Sequence, residues 1–316
     1  MRVVFKFNLS LVLALMVGAC ADPPADPTPG GAHHDDRWVP APSEPGRPRP
    51  VTAPDDGRWH LWVASPWSVD AVHDPWSPEA LEAERWFFGP IVDVASTSKG
   101  IVVALEAGAI VSMDASLQVT AVQSPGLSHP RALAVGNEDV FVADADLGLF
   151  AFRSTEAGIG APRAWADHRP HALVDTHVGL FAAVTTEAGD EVMRLDEDLS
   201  VSGRWHSAAW THIEGLGYGP DGAIYVVDGG PCVYMHDNPE HIVGQVEPTR
   251  TFCRSGRAYH GVLPVEDGDG YLAHDEGIDV FAEVTTVEDH VEPRHVIEGP
   301  NWPAWKPRFL AHGWAH

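Results

Sequence analysis

The sequence predicts an all-β protein, a six-bladed β-propeller closed by pairing of its N- and C-terminal strands. Three observations predict it. Short apolar runs with period-2 patterning and Gly or Asp turns fill residues 57–316, and long helical patterns are scarce. The runs recur in groups of four at spacings of about 39 to 47 residues, the length of a propeller blade. The two ends of the region complement each other, because the C-terminal run reads as a first strand and the N-terminal run as a second.

The group that reads most plainly starts at His129. Its runs are Ala132 to Val135, Val140 to Asp144, Gly148 to Phe152 and Pro162 to Trp165. The same order recurs from Pro170, His212 and His260, and an earlier copy starts at Pro90. Pro307 to Ala311 supplies the lone first strand, and Trp59 to Val63 the second strand without a first. Joining them gives a sixth blade and leaves no open sheet edge. Five or seven blades are the alternatives, because residues 75–88 are irregular. Trp76 to Glu84 reads as a short helix capped by Ser77. Trp86, Trp165 and Trp205 recur in fourth strands and are expected to pack between blades. Trp302, Trp305 and Trp314 are expected to cluster at the closure.

Ahead of the propeller the chain divides in two. Residues 1–19 have Arg2 and Lys6, then a short apolar core from Leu9 to Val17, the order of a secretory signal. The core is shorter than the roughly 20 residues of a membrane-spanning helix. Its ending, Val17-Gly18-Ala19-Cys20, resembles the lipobox of bacterial lipoproteins. That resemblance implies cleavage before Cys20 and lipid on its sulfur, so the expected partner is a membrane and the expected place is the bacterial cell envelope. Ala21, where an Asp would signal inner-membrane retention, leans towards the outer membrane. Residues 20–56 carry the lipidated cysteine and a tether with ten prolines between Ala21 and Asp56. It lacks the apolar side chains to form a core and is expected to be disordered and extended.

Composition excludes some functions. The formal charge is −25, and removing Arg2 and Lys6 takes it to −27. Such a chain repels phosphate backbones, so nucleic acid is not an expected partner. A monomer is expected. With Cys20 committed to lipid, Cys232 and Cys253 remain. Outside the cytoplasm they are expected to form a disulfide, between the third and fourth strands of one blade.

In a propeller the starts of the first strands and the second-to-third loops converge on one mouth of the central channel. The strand starts carry His129, Arg131, His171, His212, Glu214, His260 and Arg308, and the loops carry Glu106, Asp144, Asp146, Glu187, Asp228, His274, Asp275 and Glu276. His129, His171, His212, His260 and His274 are candidate metal ligands. Mixed imidazole and carboxylate donors suit Zn²⁺, and carboxylates alone suit Ca²⁺. Arg131, Glu214, Arg308, Asp144, Asp228 and Asp275 are candidate ligand-binding residues. Either arginine can hold a carboxylate through two parallel hydrogen bonds.

The segment Glu214-Gly215-Leu216-Gly217-Tyr218-Gly219-Pro220-Asp221-Gly222, running into Ala223 to Asp228, resembles the blades of NHL-type propellers. It is also similar to the TolB-like lactonases related to senescence marker protein and gluconolactonase. The lactonase resemblance implies a divalent metal held by Glu214, although the asparagine ligands of that family have no match at these strand starts. The histidines resemble those of the peptidyl-hydroxyglycine lyase domain, a six-bladed propeller with zinc. Two functions follow. One is a non-catalytic propeller that binds a protein, glycan or small molecule at the cell envelope. The other is a metal-dependent hydrolase or lyase acting at the channel mouth.

Overall fold

The computed structural model describes residues 59–73, 84–87, 89–97, 99–114, 117–155, 158–265, 268–282, 284, 292–298 and 307–314. The leader, Cys20 and the tether lie outside these residues, as do Trp302, Trp305 and residues 74–83, which hold nearly all of the expected helix.

Among the described residues, twenty-five strands form six sheets. Blade 1 holds β1 (Trp59–Ser65), β2 (Ser68–His73) and β3 (Glu84–Phe87). Blade 2 holds β4 (Ile91–Thr97), β5 (Gly100–Leu105), β6 (Ile110–Asp114) and β7 (Val119–Gln123). Blade 3 holds β8 (Pro130–Val135), β9 (Asp139–Asp144), β10 (Gly148–Thr155) and β11 (Gly158–Ala166). Blade 4 holds β12 (Ala172–Thr176), β13 (Gly179–Thr186), β14 (Gly189–Leu195) and β15 (Val201–His206), with β19 (Gly244–Gln245) added at its edge. Blade 5 holds β16 (Gly215–Tyr218), β17 (Ile224–Val227), β18 (Cys232–His236) and β20 (Arg250–Cys253). Blade 6 holds β21 (Tyr259–Pro264), β22 (Gly270–His274), β23 (Gly277–Phe281) and β24 (His295–Ile297). The last strand, β25 (Phe309–Trp314), is the innermost strand of blade 1, where it pairs antiparallel with β1 and sets Ala311 opposite Trp62. Innermost strands touch in order around the ring, and β25 also packs on β4. The propeller is therefore six-bladed and closed by its two ends.

Each blade buries both faces. Along β9, Val140 and Val142 point into a core shared with blade 2, and Phe141 and Ala143 into one shared with blade 4. Along β1, Leu61 and Val63 face blade 6 and Trp62 and Ala64 face blade 2. Along β17, Ile224 and Val226 face blade 4 and Tyr225 and Val227 face blade 6. Successive side chains of a strand alternate faces, so burial on both sides demands a continuous apolar run. That requirement is why second strands were the plainest signal in the sequence.

The disulfide forms as expected between β18 and β20. Cys232 and Cys253 stand directly opposite, with Cα atoms 4.0 Å apart. The neighbouring pair is hydrogen-bonded, Arg254 N–H to the Pro231 carbonyl at 2.8 Å. The cysteines thus occupy the non-hydrogen-bonded position, where side chains approach most closely. The bridge closes the base of a long excursion that includes a 3₁₀ turn (Pro239–His241) and β19. β19 pairs parallel with β15, Gly244 opposite Trp205, and covers the edge of blade 4.

Strand register makes a correction among the tryptophans. Trp205 is fully buried between blades 4 and 5. Trp165, expected to do the same, is 56% exposed on β11 and donates its indole N–H to the Leu147 carbonyl. Trp165 stands opposite Phe150, on the blade 2 side of its sheet, whereas Trp205 stands opposite Val192 on the side facing the following blade.

Candidate functional site

The strand registers define one equivalent position per blade at the channel mouth. In blade 3 it is Arg131, an extra residue between Pro130, opposite Asp144, and Ala132, opposite Ala143. Bulges of the same kind place Val92 in blade 2 and His260 in blade 6. In the remaining blades the residue ahead of the first ladder pair donates its backbone N–H across to the second strand. These bonds are His171 to Ala183 at 2.9 Å, Glu214 to Val227 at 2.8 Å and Arg308 to Ala64 at 3.0 Å. In blade order the ring reads Arg308, Val92, Arg131, His171, Glu214, His260. Five of its six members are polar and line one cavity of about 260 Å³, walled by the innermost strands of all six blades. Val92 leans into the core between blades 2 and 3 instead.

The ring is electrically lopsided. Arg131 and Arg308 flank the Val92 gap, are exposed, and form no ion pair among the described residues. Glu214 sits across the ring from the gap. Its carboxylate meets His260 Nδ1 at 2.6 Å, and His260 Nε2 meets Asp275 at 2.9 Å. The Glu214 hydrogen bond raises the His260 pKa above its ordinary value, against the opposing effect of burial. The same bond lowers that of Glu214. The unit is a histidine held by two carboxylates.

A second unit lies beside it. His212 Nδ1 is 2.8 Å and His171 Nε2 3.3 Å from Asp190 Oδ2, with the imidazole rings stacked at 5.2 Å. Burial lowers the His171 pKa, with Asp190 opposing. Asp190 is buried, and its Oδ2 also accepts the Ile213 N–H at 2.7 Å.

The remaining expected site residues do other work. Asp144, Asp228 and His274 share one position, the end of the second strand, where blade 1 has Ser65. Each accepts the backbone N–H two residues on: Ser65 from Trp67 at 3.3 Å, Asp144 from Asp146 at 2.9 Å, Asp228 from Gly230 at 3.1 Å and His274 from Glu276 at 3.2 Å. These are turn-forming side chains. Asp144 goes furthest, accepting N–H bonds also from Ser128, His129 and Leu147 at 2.7, 2.8 and 2.9 Å. Burial alone would raise its pKa, but these donors lower it. His274 faces buried Asp279, which binds Tyr259 and Arg254 at 2.8 and 2.6 Å and so ties blade 5 to blade 6. His129 stands two residues outside the ring, 65% exposed, against Asp146. Glu106 and Glu187 are exposed on their loops. The five histidines therefore do not share one donor set. Among the described residues only His171 and His212 belong to a common group, together with Asp190, a residue outside the candidates the sequence offers.

Comparisons support the fold and stop there. The sequence matches no protein-family description and no curated protein. Among solved structures the chain is similar to one in a nidogen–laminin complex, at 12% identity and TM-score 0.60, covering 82% of this chain and 99% of that one. It is similar to a protein of unknown function from Bacteroides caccae, at 11% identity and TM-score 0.59, covering 81% and 98%. The WD40 domain of Neurospora crassa Pan2 follows at 12% and 0.52, covering 76% and 78%. At such identities the likeness is one of β-propeller architecture, which hosts binding proteins and enzymes alike.

Proposed function

We propose that this chain is a cell-envelope lipoprotein whose propeller binds a small anionic, carboxylate-bearing molecule at the channel mouth. One observation carries the binding reading: two exposed arginines without ion-pair partners among the described residues stand at equivalent ring positions over the central cavity. In a chain of formal charge −25, a concave site with two exposed guanidinium groups, one of them close enough to Glu214 to lower its pKa, is a local exception. Each guanidinium matches a carboxylate through two parallel hydrogen bonds. Glu214, across the ring, suits a hydroxyl or amine on the same molecule. The cavity of about 260 Å³ suits an organic acid or amino acid, not a large ligand.

The test is a thermal-shift screen of small carboxylic acids, followed by calorimetry of any hit. Charged hydrogen bonds contribute about 1.5–3 kcal/mol each, so Arg131→Ala and Arg308→Ala should each weaken binding by roughly 10-fold or more. Hits that bind both variants as tightly as the parent would overturn the reading. The anchor rests on the order of signal, apolar core and Gly18-Ala19-Cys20. Cells fed an alkyne-tagged fatty acid should label the parent and not Cys20→Ser; equal labelling of both would refute lipidation at that cysteine.

A further inference from the structure

We propose that His171, Asp190 and His212 form a binding site for a single Zn²⁺ ion on the blade 4 side of the channel mouth. The site needs no ligand in the cavity and stands or falls separately from the binding reading above.

The three residues come from three separate segments of the chain. His171 precedes β12, Asp190 lies at the start of β14, and His212 sits in the connection from blade 4 to blade 5. One donor atom from each lies within 4.8 Å of the other two, and this is the one such group among the described residues. The spacing suits the ion. Zinc bonds of about 2.0–2.1 Å in a tetrahedron place neighbouring donors roughly 3.3 Å apart. His171 Nε2 lies 3.3 Å and His212 Nδ1 2.8 Å from Asp190 Oδ2. Two imidazoles and one carboxylate also match the donor preference of zinc, and three protein ligands leave a fourth position open.

Two further observations point the same way. His171 Nε2 is buried and lies 3.3 Å from Asp190 Oδ2 without the geometry of a hydrogen bond. A buried nitrogen without a hydrogen bond is costly, and a cation between it and the carboxylate would satisfy both. Asp190 is also held from behind. Its carboxylate accepts the Ile213 N–H and its backbone carbonyl accepts the Trp210 indole N–H at 3.1 Å. Outer contacts of that kind orient metal ligands. The comparable His129–Asp146 pair is exposed on both sides, and among the described residues no third His, Cys, Asp or Glu joins it in a metal-sized group.

The experiment uses the full-length protein without an affinity tag, with His33→Ala and His34→Ala to remove the histidine pair of the tether. Metal is stripped with a chelator, and ZnCl₂ is titrated by calorimetry while melting is followed with and without zinc. The expected result is one equivalent of zinc that raises the melting temperature. His212→Ala should weaken binding at least 10-fold and abolish the thermal shift, and His129→Ala should change neither. His212 is 59% exposed, so its replacement leaves the core intact even if His171→Ala does not fold. Absence of zinc binding, equal affinity in His212→Ala, or an equal loss in His129→Ala overturns the proposal.

Discussion

Asp144 was selected in the sequence as a ligand-binding residue, and the structure makes it the keystone of a turn. Replacing it by Ala removes the acceptor for four backbone N–H groups, from Ser128, His129, Asp146 and Leu147, all within 2.9 Å. Hydrogen bonds to a charged acceptor contribute about 1.5–3 kcal/mol each, but these donors lie on exposed residues that water can reach after the change. About 1 kcal/mol per bond is the discounted figure, or roughly 4 kcal/mol in all. For a propeller of this size that is a fall of about 10 °C in melting temperature. Asp144→Asn should lose nearly as much, because its amide N–H₂ would face two of the donors. The assay is equilibrium denaturation at pH 7, with hydrogen exchange at Asp146 and Leu147 as the local readout. The folded-state pKa of Asp144 is lowered, so its stabilisation is present above the unfolded value and is lost as pH falls through the folded one. The gap between parent and variant should therefore hold from pH 7 to about 4 and narrow below. A cost under 1 kcal/mol for either variant, with unchanged exchange, would refute the keystone role.

Other consequences follow from the same geometry. Reducing the Cys232–Cys253 bridge should remove about 3 kcal/mol, read as a drop of roughly 6–12 °C in a calorimetric scan with reductant. Trp205→Ala should cost about 3–5 kcal/mol, and Trp165→Ala, on an exposed site, under 1 kcal/mol by denaturant titration. Burial pushes the Asp93 carboxyl up to about 7, against backbone hydrogen bonds from Leu133 and Val94. A raised carboxyl pKa costs stability as pH rises from the unfolded value to the folded one, so Asp93→Asn should gain on the parent between about pH 4 and 7 and no further above. Glu214→Gln should lower the His260 pKa, measurable by NMR titration of its ring protons, because the Glu214 hydrogen bond is the main cause of the raised value.

The fold was legible because propeller blades bury both strand faces. Runs such as Val140 to Ala143 and Ile224 to Val227 announce themselves, and so does the missing first strand ahead of Trp59. The disulfide was legible because strand order placed its cysteines on neighbouring strands. The site was legible only in outline. Bulges at Arg131 and His260 each insert a residue that spacing cannot locate, and the register makes Val262, not Leu263, the equivalent of Leu133. The bulge therefore decides that His260 lies in the ring with His171, whereas His129 and His212 stand two residues outside it. Asp190 was hidden differently. The β13–β14 hairpin runs on to Thr186 and Gly189, which carries Asp190 beyond the loop expected at Glu187. The turn roles of Asp144, Asp228 and His274 escaped notice because a carboxylate or imidazole at a mouth reads as a ligand until its backbone partners are seen.

An anion held at the mouth between Arg131 and Arg308 is the core of the proposed function. The most direct measurement is a crystal structure of the protein with the tightest-binding carboxylic acid from the screen. The expected result is the ligand in the central cavity, its carboxylate bonded to one or both arginines and its far end towards Glu214. A ligand bound elsewhere on the propeller, with both arginines untouched, would contradict the claim.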